Sequence, residues 1–101
     1  ANLEDVKKKL DEELHELYEE TEKEKISLEN IEDELGDVMF CVINLSRFLK
    51  VSSEVALRRA NTKFISRFQF IEKEALLANK RLEDMTLEEM DKLWDKSKLS
   101  A

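Results

Sequence analysis

The chain has 101 residues, 42% of them hydrophobic and 41% charged, with one glycine, no proline, one cysteine and a net charge of −7. That length bounds it to a single domain, residues 1–101, with one modest core. The scarcity of turn residues argues against all-β and Rossmann-type folds, and the periodic apolar residues exclude a disordered chain. No apolar run approaches a membrane span, the lone Cys41 leaves no internal disulfide and fits a reducing, cytoplasmic setting, and the acidic balance argues against nucleic acid as a partner.

Helix one is expected from about Leu3 to about Glu22, because Leu3, Val6, Leu10, Leu14 and Leu17 recur at the 3.6 period. Glu13 and Glu16 form an i,i+3 pair on one flank of that stripe, with Lys9 one turn before Glu13. Thr21–Lys25 reads as a turn, with Thr21 and Ser27 as rival caps for the second helix. Helix two is expected from about Ser27 to about Lys50. Ile31, Leu35, Val38, Val42, Leu45 and Leu49 form its stripe, and Met39, Phe40 and Ile43 widen it beyond what one partner helix covers. Along one flank run Glu34, Asp37, Cys41, Asn44 and Phe48. Gly36, costly inside a helix, is expected to mark a close backbone approach there.

After a break at Val51–Ser53, helix three is expected to reach about Asn79. Leu57, Ala60, Phe64, Phe68, Ile71 and Ala75 form its stripe, and Lys63 and Arg67 lie on one flank at i,i+4. Lys80–Met85 reads as a linker. Thr86 and Glu89 match a capping box, and a short helix runs from there to about Lys98 with Leu87, Met90, Leu93 and Trp94 as its apolar residues. Charge is unevenly spread: residues 1–37 hold 15 acidic and 5 basic side chains, and residues 38–82 hold 3 acidic and 9 basic. An acidic half gathers cations, whereas a basic half meets anions.

Two motifs carry chemistry, Glu12-Glu13-Leu14-His15-Glu16 (E-E-x-x-E) and Glu34-Leu35-Gly36-Asp37 (E-x-x-D). Two antiparallel helices joined by a short turn would set the pairs face to face. Converging carboxylates repel and raise one another's pKa values unless a cation intervenes, and all-oxygen ligands suit Mg²⁺, or Mn²⁺. A di-iron centre would need Glu-x-x-His on two helices, and the single histidine, His15, fits no such pattern.

The two acidic motifs in this order, with Glu34-Leu-Gly-Asp-Val-Met-Phe, Val42-Ile-Asn-Leu-Ser-Arg-Phe-Leu49, Ala56-Leu-Arg-Arg-Ala-Asn-Thr-Lys-Phe64 and Arg67-Phe68, resemble the all-α nucleoside triphosphate pyrophosphohydrolases. The chain is most similar to a MazG domain, the C-terminal of the two tandem domains in long MazG proteins. The resemblance implies a four-helix, MazG-type bundle that dimerises through its long central helices. It also implies Mg²⁺-dependent hydrolysis of a nucleoside triphosphate to the monophosphate and pyrophosphate, as nucleotide-pool house-cleaning of broad base range. Carried over by position, Glu13, Glu16, Glu34 and Asp37 are metal ligands, with Glu12 an auxiliary catalytic carboxylate beside Glu13 and Glu34. Lys63 and Arg67 hold the triphosphate, Lys9 joins them, and Asn44 and Trp94 lie near the substrate. Where relatives can carry a further lysine before E-x-x-D, this chain has Asn30. Two alternatives remain: a related enzyme acting on dUTP, dCTP or phosphoribosyl-ATP, and a non-catalytic helical module whose apolar second helix binds a partner.

Overall fold

The structure, a computed structural model, describes residues 2–99. It is all-α: α1 (Leu3–Thr21), α2 (Leu28–Phe48), α3 (Ser53–Leu77) and α4 (Leu87–Leu99), with a 3-10 turn at Leu82–Asp84 between the last two. The chain divides between Glu54 and Val55 into two compact units.

In the first unit α1 and α2 pack on each other as a helical hairpin. Asn2 starts α1 by accepting the Asp5 amide on its side chain at 2.9 Å, while the Asp5 carboxylate accepts the Asn2 amide, so two otherwise orphaned donors are satisfied reciprocally. Of the two candidate caps for α2, Ser27 takes the position, its hydroxyl oxygen accepting the Asn30 amide at 3.2 Å. α2 ends in a Schellman motif. The Val51 amide reaches back to the Ser46 carbonyl and the Lys50 amide to that of Arg47, with Lys50 left-handed at φ 60°. Val6, Val38 and Glu13 are buried in this unit, and Leu10, Leu14, Leu17, Ile31 and Leu45 are half-buried.

The second unit is built from α3 and α4. Ile71, Ala75 and Ser97 form its buried centre. Phe64 stacks on Phe68 and tilts against Trp94, with ring centroids 6.1 and 5.5 Å apart. α3 closes on a second Schellman motif, with Asn79 left-handed at φ 59°. The expected capping box opens α4: the Glu89 amide donates to the Thr86 hydroxyl and the Glu89 carboxylate accepts the Thr86 amide. Glu89 also pairs with Lys80, which ties the connection to α4.

One expectation fails. A Cβ built on Gly36 would meet nothing within 4 Å, so this glycine is not a point of close approach within the chain. As the width of the α2 pattern implies, much of its apolar surface, and part of that of α3, is exposed. Leu35, Val42, Leu49, Leu57 and Phe64 are exposed with Met39, Ile43 and Phe40, the last 72% exposed. One copy of a chain this short has too few apolar surfaces to cover a helix that is apolar over most of its circumference.

Candidate metal centre

The carboxylate cluster lies in the helical hairpin. Glu13 and Glu16 stand one turn apart on α1, and Glu34 faces them from α2. One carboxylate oxygen of each lies within 4.8 Å of those of the other two. Glu13 is buried, Glu34 half-buried and Glu16 exposed, so the cluster opens to solvent on one side. Glu13 is the anomaly, because a carboxylate almost never lies buried beside an apolar stripe without a counter-charge. Lys9, one turn earlier, supplies part of that charge through its Nζ, 2.9 Å from Glu13 Oε1. The hydrogen bond from Lys9 holds the Glu13 carboxyl below its ordinary pKa against the opposing effect of burial. The same contact raises the Lys9 ammonium.

Lys9 does not complete the site. The other oxygen of Glu13, Oε2, and Oε2 of Glu34 are both buried and have no hydrogen-bond donor. Glu16 has its pKa raised, first by the charge on Glu13 and then by burial. A carboxyl pushed up by its neighbours beside two orphaned carboxylate oxygens is an arrangement that a bound cation would relieve. The donors are all hard oxygens, and they fit a divalent ion of the Mg²⁺ or Mn²⁺ type.

Asp37, the fourth carboxylate of the two motifs, is exposed and stands one turn beyond Glu34, outside the three-residue cluster. It acts with Glu13 on Cys41, whose thiol is pushed up mainly by burial and then by Glu13 and Asp37. Glu12 and Asn44 are exposed on α1 and α2. Lys63, Arg67 and Trp94 belong to the second unit, where the Arg67 guanidinium lies over the Trp94 ring at 5.3 Å from its centroid. Lys63, one turn before Arg67, is exposed on α3 and lines a shallow basic concavity with Arg58, Arg59 and Thr62.

The sequence patterns do not single out two residues of the hairpin. Glu20, one turn beyond Glu16, has a buried oxygen, Oε1, with no donor. Lys23, in the turn, contacts its other oxygen at 2.6 Å. The i,i+4 spacing from Glu16 to Glu20 is the available signal, but in so acidic a helix that spacing alone does not separate a site residue from a solvated face.

Residues 1–70 match the MazG nucleotide pyrophosphohydrolase domain. The chain belongs to the MazG family. It is 42% identical over 99 residues to the Thermotoga maritima nucleoside triphosphate pyrophosphohydrolase/pyrophosphatase MazG, an overlap of 94% of this chain and 35% of that protein. It is 32% identical over 90 residues to the Escherichia coli K12 nucleoside triphosphate pyrophosphohydrolase, covering 89% of this chain and 34% of the relative. The uncharacterized protein YabN of Bacillus subtilis is 45% identical over 69 residues, 68% of this chain and 14% of YabN. The chain thus spans about a third of the length of the MazG pyrophosphohydrolases it matches. The matched segment contains both acidic motifs of the MazG domain and the Lys63–Arg67 pair. Among the described residues, no helix is long and apolar enough to cross a membrane.

Proposed function

We propose that this MazG domain is a divalent-cation-dependent nucleoside triphosphate pyrophosphohydrolase that cleaves the α–β anhydride bond to give the monophosphate and pyrophosphate. The observation that carries this reading is the three-carboxylate cluster, with buried unpartnered oxygens on Glu13 and Glu34. The activity for which the T. maritima and E. coli relatives are named agrees with it. Glu13, Glu16 and Glu34 would hold the cation, with Asp37 one turn on as a further ligand. When bound, Mg²⁺ supplies neutralisation of the triphosphate charge and polarisation of the phosphorus under attack.

The chain's own residues have separate tasks. Glu12, exposed beside buried Glu13, orients the attacking water and accepts its proton on a carboxylate oxygen. Lys9 neutralises Glu13 and lies at the Glu13 end of the cluster, within reach of an incoming phosphate. Arg67, steadied over Trp94, offers a planar fork suited to bidentate phosphate binding, and Lys63 adds a point charge. By the positions they share with the family pattern, these two are assigned to phosphate binding. Asn44 contributes an amide on the Asp37 flank of α2, and Trp94, in the second unit, is a substrate-binding candidate by its position in the family pattern. We further propose a homodimer through the exposed apolar face of α2, since contiguous apolar surface of this kind marks an association site.

The test is a panel of ribo- and deoxyribonucleoside triphosphates in Mg²⁺ and in EDTA, with the wild type, Glu34→Gln and Asp37→Asn. The expected result is activity over a broad range of bases that vanishes in EDTA and in Glu34→Gln. Undiminished rates in both variants would refute the assignment, and activity on dUTP or dCTP alone would replace the broad range by a narrow one.

A further inference from the structure

The turn of the hairpin holds a charged group that the proposed reaction does not yet use. Glu20 lies one turn beyond Glu16 on α1, and Asn30 one turn before Glu34 on α2, so the two helices carry polar side chains one step from the carboxylate cluster towards the turn. Lys23 Nζ sits 2.6 Å from Glu20 Oε2. The Glu20 side chain is 13% exposed and that of Lys23 54%, so the carboxylate is set into the hairpin while the ammonium faces solvent. Glu20 Oε1 is buried without a donor. The Asn30 amide, on the facing helix, also favours the charged form of Glu20, after Lys23. Lys23 lies one turn beyond Glu20, and Glu20 one turn beyond Glu16, so the lysine continues the line of Glu13, Glu16 and Glu20 towards the turn.

We propose that Lys23 is a second phosphate-binding cation of this site, parked on Glu20 and released to a phosphate of the ligand that docks at the Glu13–Glu16–Glu34 cluster. The proposal rests on the reading of that cluster as a triphosphate site and adds a specific contact to it. Lys9 guards the Glu13 end of the cluster, and Lys23 stands at the opposite end, towards the turn. A triphosphate is an elongated polyanion, and cations at both ends of the site match its length and charge better than one. Lys23 is free to make the exchange. Its ammonium faces solvent, so an incoming phosphate reaches it without opening the hairpin. Its four-carbon stem is flexible.

The test is calorimetric titration with inorganic tripolyphosphate in saturating Mg²⁺, a probe that has the phosphates and no base. Lys23→Ala is expected to weaken binding about ten-fold or more, the loss of one charge-assisted contact. Lys23→Arg is expected to retain most of the affinity, and Lys25→Ala, which removes an exposed lysine of the same turn, to match the wild type. Glu20→Gln frees Lys23 and is expected to leave binding equal or tighter, whereas a lysine that merely braces the turn would make Glu20→Gln and Lys23→Ala fail together. Equal affinity in Lys23→Ala and wild type, an equal loss in Lys25→Ala, or no binding of tripolyphosphate by the wild type would overturn the proposal. Failure of the underlying reading shows differently: Lys23-dependent binding of tripolyphosphate with no pyrophosphate released from any nucleoside triphosphate.

Discussion

Replacing Glu34 by glutamine separates a metal site from a crowded acidic surface, because the two accounts predict opposite responses to magnesium. In the wild type three carboxylate oxygens lie within 4.8 Å of one another and two of the residues keep buried oxygens without donors. A ligand that binds only the folded state at a hundred times its Kd stabilises by about 2.7 kcal/mol. For a domain of this size each kcal/mol moves Tm by roughly 4–8 °C, so saturating Mg²⁺ is expected to raise Tm by roughly 10–20 °C. Changing even a residue that only supports a metal ligand weakens such sites by about 10–100-fold, so loss of a ligand oxygen itself is set at the upper end, about a hundred-fold. At the same Mg²⁺ concentration the remaining stabilisation is about 0.4 kcal/mol, or a shift of only about 2–3 °C. In EDTA the order reverses. The Glu34→Gln substitution relieves like-charge repulsion on Glu16, whose pKa Glu34 helps to raise, so the variant melts above the wild type. Differential scanning calorimetry in Mg²⁺ and in EDTA reads both effects. A Tm that rises equally in the two proteins on adding Mg²⁺ would exclude Glu34 as a metal ligand.

Three further predictions concern the scaffold. Gly36→Ala adds a methyl group to open space inside α2 and is expected to stabilise the monomeric chain by about 1 kcal/mol in denaturant unfolding; a loss would mean that something covers this position in solution. Lys50→Gly removes a side chain from a left-handed position and is expected to raise the unfolding midpoint by the equivalent of about 1 kcal/mol, with no gain if the α2 terminus is not formed as described. Glu89 has its carboxyl held below its ordinary value, first by the Lys80 hydrogen bond and then by the Thr86 amide. Its contribution is therefore full above the unfolded value of about 4.3 and is lost as pH falls through the lower folded value. The Tm gap between wild type and Glu89→Gln should close on acidification from about pH 6 to about pH 3, on either side of that unfolded value, and a gap that widens would reverse the assignment.

The helices are legible in the sequence because their signals are local. The 3.6 period of Leu3, Val6, Leu10, Leu14 and Leu17 marks α1, and Thr86 with Glu89 marks the start of α4. The turn at Leu82–Asp84 carries no periodic pattern, so its sequence reads as plain linker. At the site, E-E-x-x-E and E-x-x-D place carboxylates on helix flanks, and the hairpin brings Glu13, Glu16 and Glu34 together. What spacing does not convey is depth. Glu13 is buried and Asp37 exposed although both border apolar stripes, because burial depends on which neighbour covers each flank. The i,i+3 spacing of Glu20 and Lys23 likewise does not show that Glu20 is set into the hairpin with a buried oxygen. Gly36 shows the converse error: a helix-weakening residue invites an explanation by close approach, and the structure holds nothing there.

On the proposed reading the carboxylate cluster directs hydrolysis to the α–β bond of a nucleoside triphosphate. Phosphorus-31 NMR of ATP incubated with the protein in Mg²⁺ resolves every phosphate product in one spectrum. Paired growth of AMP and pyrophosphate signals, absent in EDTA, is expected. Growth of ADP and orthophosphate, or products unchanged by EDTA, would exclude metal-dependent cleavage of the α–β bond.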